Sequence, residues 1–234
     1  MPVMLAETPV RLSLAGMLAE TPGMSERHKM NRQALGILQK SDINSLEIQL
    51  ALQCAPFIGR LKPSNLFITG NRNLDGAVRL FEQAGFSYFV MLKTKHKTVF
   101  LLYDEGALGE YVSDGKAAFL LRKTGYYNLG LKELLKKCRL RYRQYASEGE
   151  GFPHELGIFL GYPIEDVAGF IENGGKNCLY AGYWKVYADL PAKLSVFKSY
   201  ENAQLALLKM LWEGRSIREI ICSGRGTEPY GRLI

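Results

Sequence analysis

The sequence predicts an α+β fold, in which a small, mostly antiparallel sheet is covered by many helices. Two observations carry this prediction. Residues 86–93 and 98–103 are rich in β-branched and aromatic side chains and flank a basic turn, as the strands of a β-hairpin do. Most of the remaining chain has the apolar spacing of amphipathic helices. The 234 residues are enough for one large domain or two small ones.

The first half of the chain predicts several helices and one strand besides the hairpin. The helices cover residues 30–40, 45–54, 73–84 and 105–123, and the strand covers residues 64–69. The periodicity of residues 45–54 fits a strand and a helix equally, and N-capping by Asp42 or Ser45 favours the helix. Gly85 predicts the end of the third helix, and residues 114–115 predict a break in the fourth.

The second half of the chain predicts mainly helices, with one strand and a linker. Helices are predicted over residues 129–145, 194–212 and 216–223 and as two short segments after Pro153 and Pro163, with a strand over residues 179–187. By alternation along that strand, Trp184 and Val186 face the core. The "SEGEG" run at residues 147–151 predicts a sub-domain junction within a single domain of residues 25–234.

A short repeat marks the N-terminal region. The hexapeptide "MLAETP" occurs at residues 4–9 and again at residues 17–22. Two short copies are too few for a repeat architecture. We therefore expect residues 1–24 to be a flexible leader, vector-derived or misassigned, with Met24 as a candidate natural start.

Composition excludes several classes of protein. No apolar run reaches the roughly 18 residues of a membrane span. The four cysteines, Cys54, Cys138, Cys178 and Cys222, lack the spacing of a metal site or of a disulfide scaffold. No glycine-rich nucleotide loop follows a strand. We therefore expect a cytoplasmic protein with reduced thiols, no metal, no cofactor and no membrane partner.

The positive charge is concentrated in one segment. The formal net charge is +7, and residues 122–143 alone contain eight basic side chains and one acidic side chain. The candidate partner-binding residues in this segment are Lys132, Lys136, Lys137, Arg139 and Arg143. An acidic carrier protein that bears an acyl thioester suits such a strip. Nucleic acid is a weaker match because no recognition motif is present, and a solvated face remains an alternative.

Four sequence blocks resemble a known family. They are "CAPFIGRLKPSNLF" from Cys54, "FLLRKTGYY" from Phe119, "FPHELGIFLGYPIEDVAGFIENGG" from Phe152 and "GYWKVY" from Gly182. Together they are similar to an uncharacterised bacterial family of domains of unknown function that is common in anaerobes. The resemblance covers about residues 43–222 and departs from the family at Gln53, where histidine is frequent. It implies no particular activity.

Cys54 and His154 are the candidate catalytic pair, because imidazole is the usual base that activates a thiol. The dipole of the helix predicted after Pro153 would keep the imidazole neutral. Cys54 is expected at a helix end beside Pro56, within reach of a cleft. The leading residue to orient His154 is Asp166, the reserves are Glu155 and Asn173, and the candidate oxyanion donors are Gln49 and Gln53.

A structural role for these residues stays open. Cys54 shares a helical face with Leu46 and Leu50, and cysteine is among the most buried residue types. The "PHE" run also fits simple helix capping, with Glu155 favoured by the dipole and His154 exposed. A helical position for His154 further differs from papain-like enzymes, whose histidine lies on a strand.

The residues lead to two hypotheses of function. In the first, a distant papain-like variant uses Cys54 to attack a thioester or an amide and forms an acyl-enzyme. The acyl group then passes to an amine or to water. A carrier protein as donor would make the chain an amide synthetase or transacylase. In the second hypothesis, the chain is a non-catalytic binding module whose basic helix docks an acidic protein or nucleic acid.

Overall fold

In a computed structural model of the protein, the structure describes residues 33–149 and 151–224. The expected leader, residues 1–24, lies outside them. Helices α1 to α10 cover residues 33–38, Leu46–Ile58, Leu74–Ala84, Glu105–Ser113, Gly115–Lys123, Leu131–Glu148, Leu156–Phe159, Ile164–Glu172, Leu190–Trp212 and Ile217–Gly224. Strands β1 to β5 cover Ser64–Gly70, Ser87–Lys93, Lys97–Tyr103, Tyr180–Ala181 and Lys185–Val186. The predicted α+β class is confirmed.

The central sheet has three antiparallel strands in the order β1-β3-β2. β2 and β3 form the predicted hairpin, and β1 pairs with the far side of β3, with Phe67 opposite Phe100. Side chains alternate between the faces of a strand, so Leu101 packs on one face of the sheet and Phe100 and Leu102 pack on the other. Both faces are buried, which explains the nearly continuous apolar run of β3.

Two layers of helices cover this sheet. Helices α2, α3, α9 and α10 form the apolar cluster on one face, around residues such as Leu50 and Phe81. Helices α4 to α8 form the cluster on the other face, around residues such as Leu135. The β4–β5 hairpin packs on α9 in a third cluster, where Trp184 and Val186 are buried as predicted. None of the described helices is both long and apolar enough to cross a membrane.

The strand predicted over residues 179–187 is wrong. This segment forms a tight hairpin of two two-residue strands, β4 and β5. The backbone at Gly182 passes so close to Phe197 that an added Cβ atom would lie 2.4 Å from the ring. After β5, two successive backbone amides donate to the Asp166 carboxylate instead of to another strand. Long-range contacts therefore end the strand where local alternation would continue it.

Helix α2 continues through Pro56 to Ile58, so the prediction that Cys54 lies at a helix end is wrong. Proline has no N–H group, which leaves the carbonyl of Leu52 without its helical partner. The side-chain amide of Gln204 on α9 donates to this buried carbonyl at 2.7 Å. A distant side chain thus replaces the missing bond, and the helix carries Cys54 in its interior.

The loop between α2 and β1 packs tightly against the loop between α7 and α8. An added Cβ atom at Gly161 would lie 2.5 Å from the Cδ atom of Pro63. Gly161 also has a φ of +68°, in the left-handed region that favours glycine. The approach of Gly161 to Pro63 also places their neighbours in the chain, Tyr162 and Lys62, in contact with each other.

We expect Gly161→Ala to lower the free energy of unfolding by about 3 kcal/mol, because a left-handed backbone penalty adds to an overlap with Pro63. The matched control is Gly149→Ala, where φ is +77° and no heavy atom lies within 4 Å of the added Cβ atom. That variant carries the backbone penalty alone, about 1 kcal/mol. Urea unfolding measures both losses. Equal losses would contradict tight packing of the two loops.

Candidate functional site

Cys54 lies in the interior of α2, with its side chain turned toward β1. The thiol donates to the carbonyl of Leu66 at 3.6 Å, and the side-chain amide of Asn65 lies 3.5 Å from Sγ. The residue is 0 % exposed. Burial raises the pKa of the thiol to about 12, although the Asn65 contact and the charge of Lys62 act in the opposite direction. In this closed arrangement, Cys54 is a neutral thiol at neutral pH.

Lys62 is the side chain whose charge acts to lower the pKa of the Cys54 thiol. It is 4 % exposed, and no carboxylate among the described residues forms an ion pair with it. Burial lowers the pKa of the amine to about 7, while Cys54 acts to raise it. The Nζ atom lies 4.9 Å from the centre of the Tyr162 ring, a cation–π contact. Lys62 is therefore a neutral amine above about pH 7, ready to accept a proton.

An aromatic wall stands beside Lys62. Tyr162 stacks on Trp184 with 5.1 Å between ring centroids, and Trp184 in turn contacts Tyr200 on α9. The carbonyl of Tyr162 accepts a hydrogen bond from the hydroxyl of Tyr111 on α4 at 2.5 Å. The buried Tyr200 hydroxyl has no hydrogen-bond partner among the described residues. The sequence blocks that contain "KP", "GYP" and "GYW" therefore meet around Lys62.

Asp166 holds the β4–β5 hairpin. Its carboxylate is 1 % exposed and accepts hydrogen bonds from Trp184 Nε1 at 2.7 Å and from the amides of Tyr187 and Ala188 at 2.7 and 3.1 Å. Both carboxylate oxygens are thus occupied. Asp166 fixes the aromatic wall against α8, and no contact among the described residues links it to His154.

His154 lies in the turn before α7 and is exposed. Its ring packs between Phe152 and Phe170, with centroid distances of 5.5 and 5.0 Å. Partial burial lowers the pKa of the imidazole, and the Glu155 carboxylate acts in the opposite direction. The direction agrees with the sequence expectation of a neutral imidazole. Its main cause is burial, because α7 has four residues and a correspondingly small dipole.

The structure does not bring Cys54 and His154 together. No contact within the described residues joins them, and their neighbours belong to apolar clusters on opposite faces of the sheet. Glu155 does not orient the imidazole either. It is 1 % exposed, pairs with Arg141 at 2.7 Å and accepts a hydrogen bond from Tyr126 at 2.8 Å. Glu155 therefore anchors the turn that precedes α7 to α6.

The other candidate amides have structural partners. The side chain of Gln53 exchanges two hydrogen bonds with the backbone of Ile68 and so completes the outer edge of β1. Gln49 donates to a carbonyl at the start of α2, and Asn173 donates to a carbonyl near the end of α8. None of these side-chain amides contacts the thiol of Cys54 in the described structure. The expected oxyanion donors are therefore not assembled there.

Sequence reasoning missed Lys62 and Asn65. Both lie in the sequence block that begins at Cys54, and Lys62 directly precedes a proline and the apolar strand β1. A lysine at that position indicates that a charged side chain enters the core. The signal is weak, because a lysine beside a strand usually extends its ammonium into solvent.

Some basic side chains of the α6 strip contact other parts of the protein, and others face solvent. Three of the five candidate side chains contact the protein itself, namely Lys137, Arg139 and Arg143. Lys132 and Lys136 are exposed, and Lys136 lies 4.0 Å from the carboxylate of Glu133. Much of the positive charge therefore stabilises the packing of α6, and part of it faces outward.

A cavity of about 520 Å³ opens between α2, α9 and α10. Its wall includes Ile58, Ala203 and Met210 but neither Cys54 nor Lys62. The cavity is thus separate from the thiol and the amine. Among the described residues, no cluster of three or more His, Cys, Asp or Glu side chains could hold a metal ion.

The fold and site define an α+β protein with a buried thiol and with a buried amine that contacts an aromatic wall. The chain belongs to the family described as "Protein of unknown function (DUF3793)", whose model matches residues 50–221. The expected membership of a family of unknown function is confirmed. No curated protein and no solved structure matches the chain. The matched range contains Cys54, Lys62 and the aromatic wall.

We expect the stability of Lys62→Met relative to the wild type to depend on pH. The amine binds a proton at the ordinary pKa of 10.5 when unfolded, but only below about 7 when folded. Between these values the unfolded wild type holds more protons, so the wild type gains stability as the pH rises. The stability of the variant relative to the wild type should therefore fall by about 2 kcal/mol from pH 7 to pH 9.

Urea unfolding at several pH values measures this difference. The control is Lys209→Met, which removes an exposed lysine of α9 and should leave a pH-independent difference from the wild type. The pH dependence is the informative quantity, because a change in packing shifts stability equally at every pH. The same slope in both variants would contradict a lowered pKa at Lys62.

We expect Asp166→Asn to lower the free energy of unfolding by about 3 kcal/mol. The asparagine side chain presents one NH₂ group where the carboxylate accepts hydrogen bonds from Trp184 and the backbone. Urea unfolding followed by tryptophan fluorescence measures the loss. His154→Ala is the comparison and should cost less than about 1 kcal/mol, because that side chain is exposed. Similar losses in both variants would argue against a structural role for Asp166.

Proposed function

We propose that the chain is an acyl-transfer enzyme in which Cys54 is the nucleophile and Lys62 accepts its proton. One observation carries this proposal: the charge of a buried amine without a carboxylate partner among the described residues acts on the pKa of a buried thiol. Strongly perturbed ionisable groups are concentrated at functional sites. Lys62 replaces the expected base His154, since the imidazole packs on Phe152 and Phe170 and not on the thiol.

Proton transfer between the two groups creates charges that stabilise each other. Either ionised group alone is an isolated charge in the core, which is why the pKa of Cys54 is raised and that of Lys62 is lowered. A thiolate beside an ammonium is a pair, and it forms without exchange of protons with solvent. The face of the Tyr162 ring further stabilises the ammonium. We expect a polar substrate to favour this charged pair when it enters.

The proposed reaction has two steps. In the first, the Cys54 thiolate attacks the carbonyl carbon of a thioester, the carbon–sulfur bond of the donor breaks, and the leaving thiolate takes the proton held by Lys62. In the second, an amine attacks the acyl-enzyme, and its proton passes through Lys62 to the Cys54 thiolate. The products are an amide and the free thiol. Water in place of the amine gives a carboxylic acid.

The same burial supports a second candidate function, a non-catalytic binding module. A cysteine with 0 % exposure packs like a core residue, and a binding module needs no accessible thiol. The exposed part of the α6 strip would then carry the function by docking an acidic protein or nucleic acid. The two candidates differ in whether Cys54 forms a covalent acyl adduct.

We expect a neutral thioester, octanoyl-N-acetylcysteamine, to place one octanoyl group on Cys54. Intact-mass analysis and peptide mapping locate and count the adduct. The rate should increase with pH through about 7, where Lys62 loses its proton and becomes able to accept that of the thiol. Lys62→Met should lower the rate at least about 100-fold and remove this pH dependence, because the proton acceptor is gone.

Controls separate this mechanism from adventitious thiol chemistry. Cys54→Ser should form no thioester adduct, and His154→Ala should react within about threefold of the wild-type rate. Two further thiols serve as internal references, because Cys138 is buried and Cys222 is exposed. Acylation that starts at Cys222, or an unchanged rate in Lys62→Met, would favour the binding module.

A further inference from the structure

We propose that one exposed surface of the protein docks a small acidic protein that delivers its acyl group as a thioester. The surface spans α5, the α5–α6 loop and the first part of α6. We call it the docking patch, and its exposed residues are Phe119, Arg122, Lys123, Tyr127, Leu129, Lys132 and Lys136. The delivery of an acyl group rests on the proposed function, whereas the binding of an acidic protein does not.

The cations of the docking patch are exposed to solvent. Other basic residues of this segment hold the structure together, since Lys137 and Arg141 donate to carbonyls of the α5–α6 loop. These bonds hold the loop that connects α5 and α6 against α6. Glu133 is the only acidic residue in the sequence between residues 115 and 147, and its 4.0 Å pair with Lys136 is exposed and weak. The patch is therefore positively charged.

Apolar side chains lie among these cations. Tyr127 is 64 % exposed, Phe119 is 53 % exposed and Leu129 is 36 % exposed. Apolar and aromatic anchors inside a polar rim are the usual arrangement of a protein–protein interface. The charge of the rim selects an acidic partner and speeds its association.

The arrangement favours a protein partner over nucleic acid. Nucleic-acid surfaces that stack bases present open aromatic faces in series along a basic groove. In the docking patch, the ammonium of Lys123 lies 4.7 Å from the centre of the Phe119 ring and covers one of its faces. Tyr127 is the other aromatic residue of the patch. Two rings, one of them partly covered, suit apolar anchoring better than base stacking.

The docking patch is connected to the buried amine through α8. Helix α5 packs against α8. Burial acts to raise the pKa of Glu165 at the start of α8, but the hydrogen bond from Lys193 and, to a smaller extent, the charge of Lys116 on α5 leave this pKa lowered. Tyr162 lies just before α8 and covers Lys62. A thioester on a flexible arm would therefore have to displace Tyr162 to reach Lys62.

Binding to a purified holo-acyl carrier protein, measured by isothermal titration calorimetry, tests the proposal. The Cys54→Ser variant is used, so that binding is observed without acyl transfer. We expect the affinity to fall with rising salt. Replacing Arg122, Lys132 and Lys136 together by glutamate should raise the Kd at least about 10-fold and flatten the salt dependence. Phe119→Ser combined with Tyr127→Ser should raise the Kd by about 10-fold and leave the salt dependence intact.

The matched control combines Lys209→Glu with Leu194→Ser, two exposed positions of α9 outside the patch, and should bind like the parent. Phosphatidylglycerol vesicles and a single-stranded oligonucleotide serve as competing probes. A Kd that the patch variants leave unchanged, or tighter patch-dependent binding to either competing probe, would overturn the proposal. Patch-dependent carrier binding without acylation of wild-type Cys54 would instead support docking and contradict the acyl-transfer function.

Discussion

An amine in an apolar core must be neutral or find compensation, and within residues 33–149 and 151–224 the surroundings of Lys62 meet this constraint without a carboxylate. Burial lowers its pKa to about 7, and the Tyr162 ring stabilises whatever charge remains. The same burial keeps the thiol of Cys54 protonated. The resting site is thus a neutral pair. A proton transfer from Cys54 to Lys62 inside the protein gives the charged form of the pair. Burial of these two groups thus affects both the stability of the fold and the proposed reaction.

Several tertiary contacts hold the surroundings of Lys62 in place. Gly161 allows the loop before α8 to touch Pro63, which brings Tyr162 over Lys62. Asp166 then fixes Trp184 behind Tyr162. These residues come from different sequence blocks that are far apart along the chain. The blocks therefore act together as the support of the buried Lys62.

The sequence predicted those parts of the fold that local chemistry decides. The β2–β3 hairpin and the end of α3 at Gly85 follow from β-branched runs and from a left-handed glycine. Two predictions failed where a distant group intervenes. Gln204 supplies the bond that allows α2 to pass through Pro56, and Asp166 takes the amides that would have extended β5. Neither intervention leaves a periodic signal in the local sequence.

The sequence by itself determined the α+β class, the family and the concentration of positive charge in residues 122–143, because composition, periodicity and sequence blocks are properties of the chain. Only the tertiary structure decided which ionisable side chains are buried and act on Cys54. His154 was the better candidate from residue type, yet the fold buries Lys62, whose charge acts on the Cys54 thiol, and leaves His154 exposed. The physical reason is that burial sets both the contacts and the pKa of an ionisable group, and burial is decided by how distant segments pack.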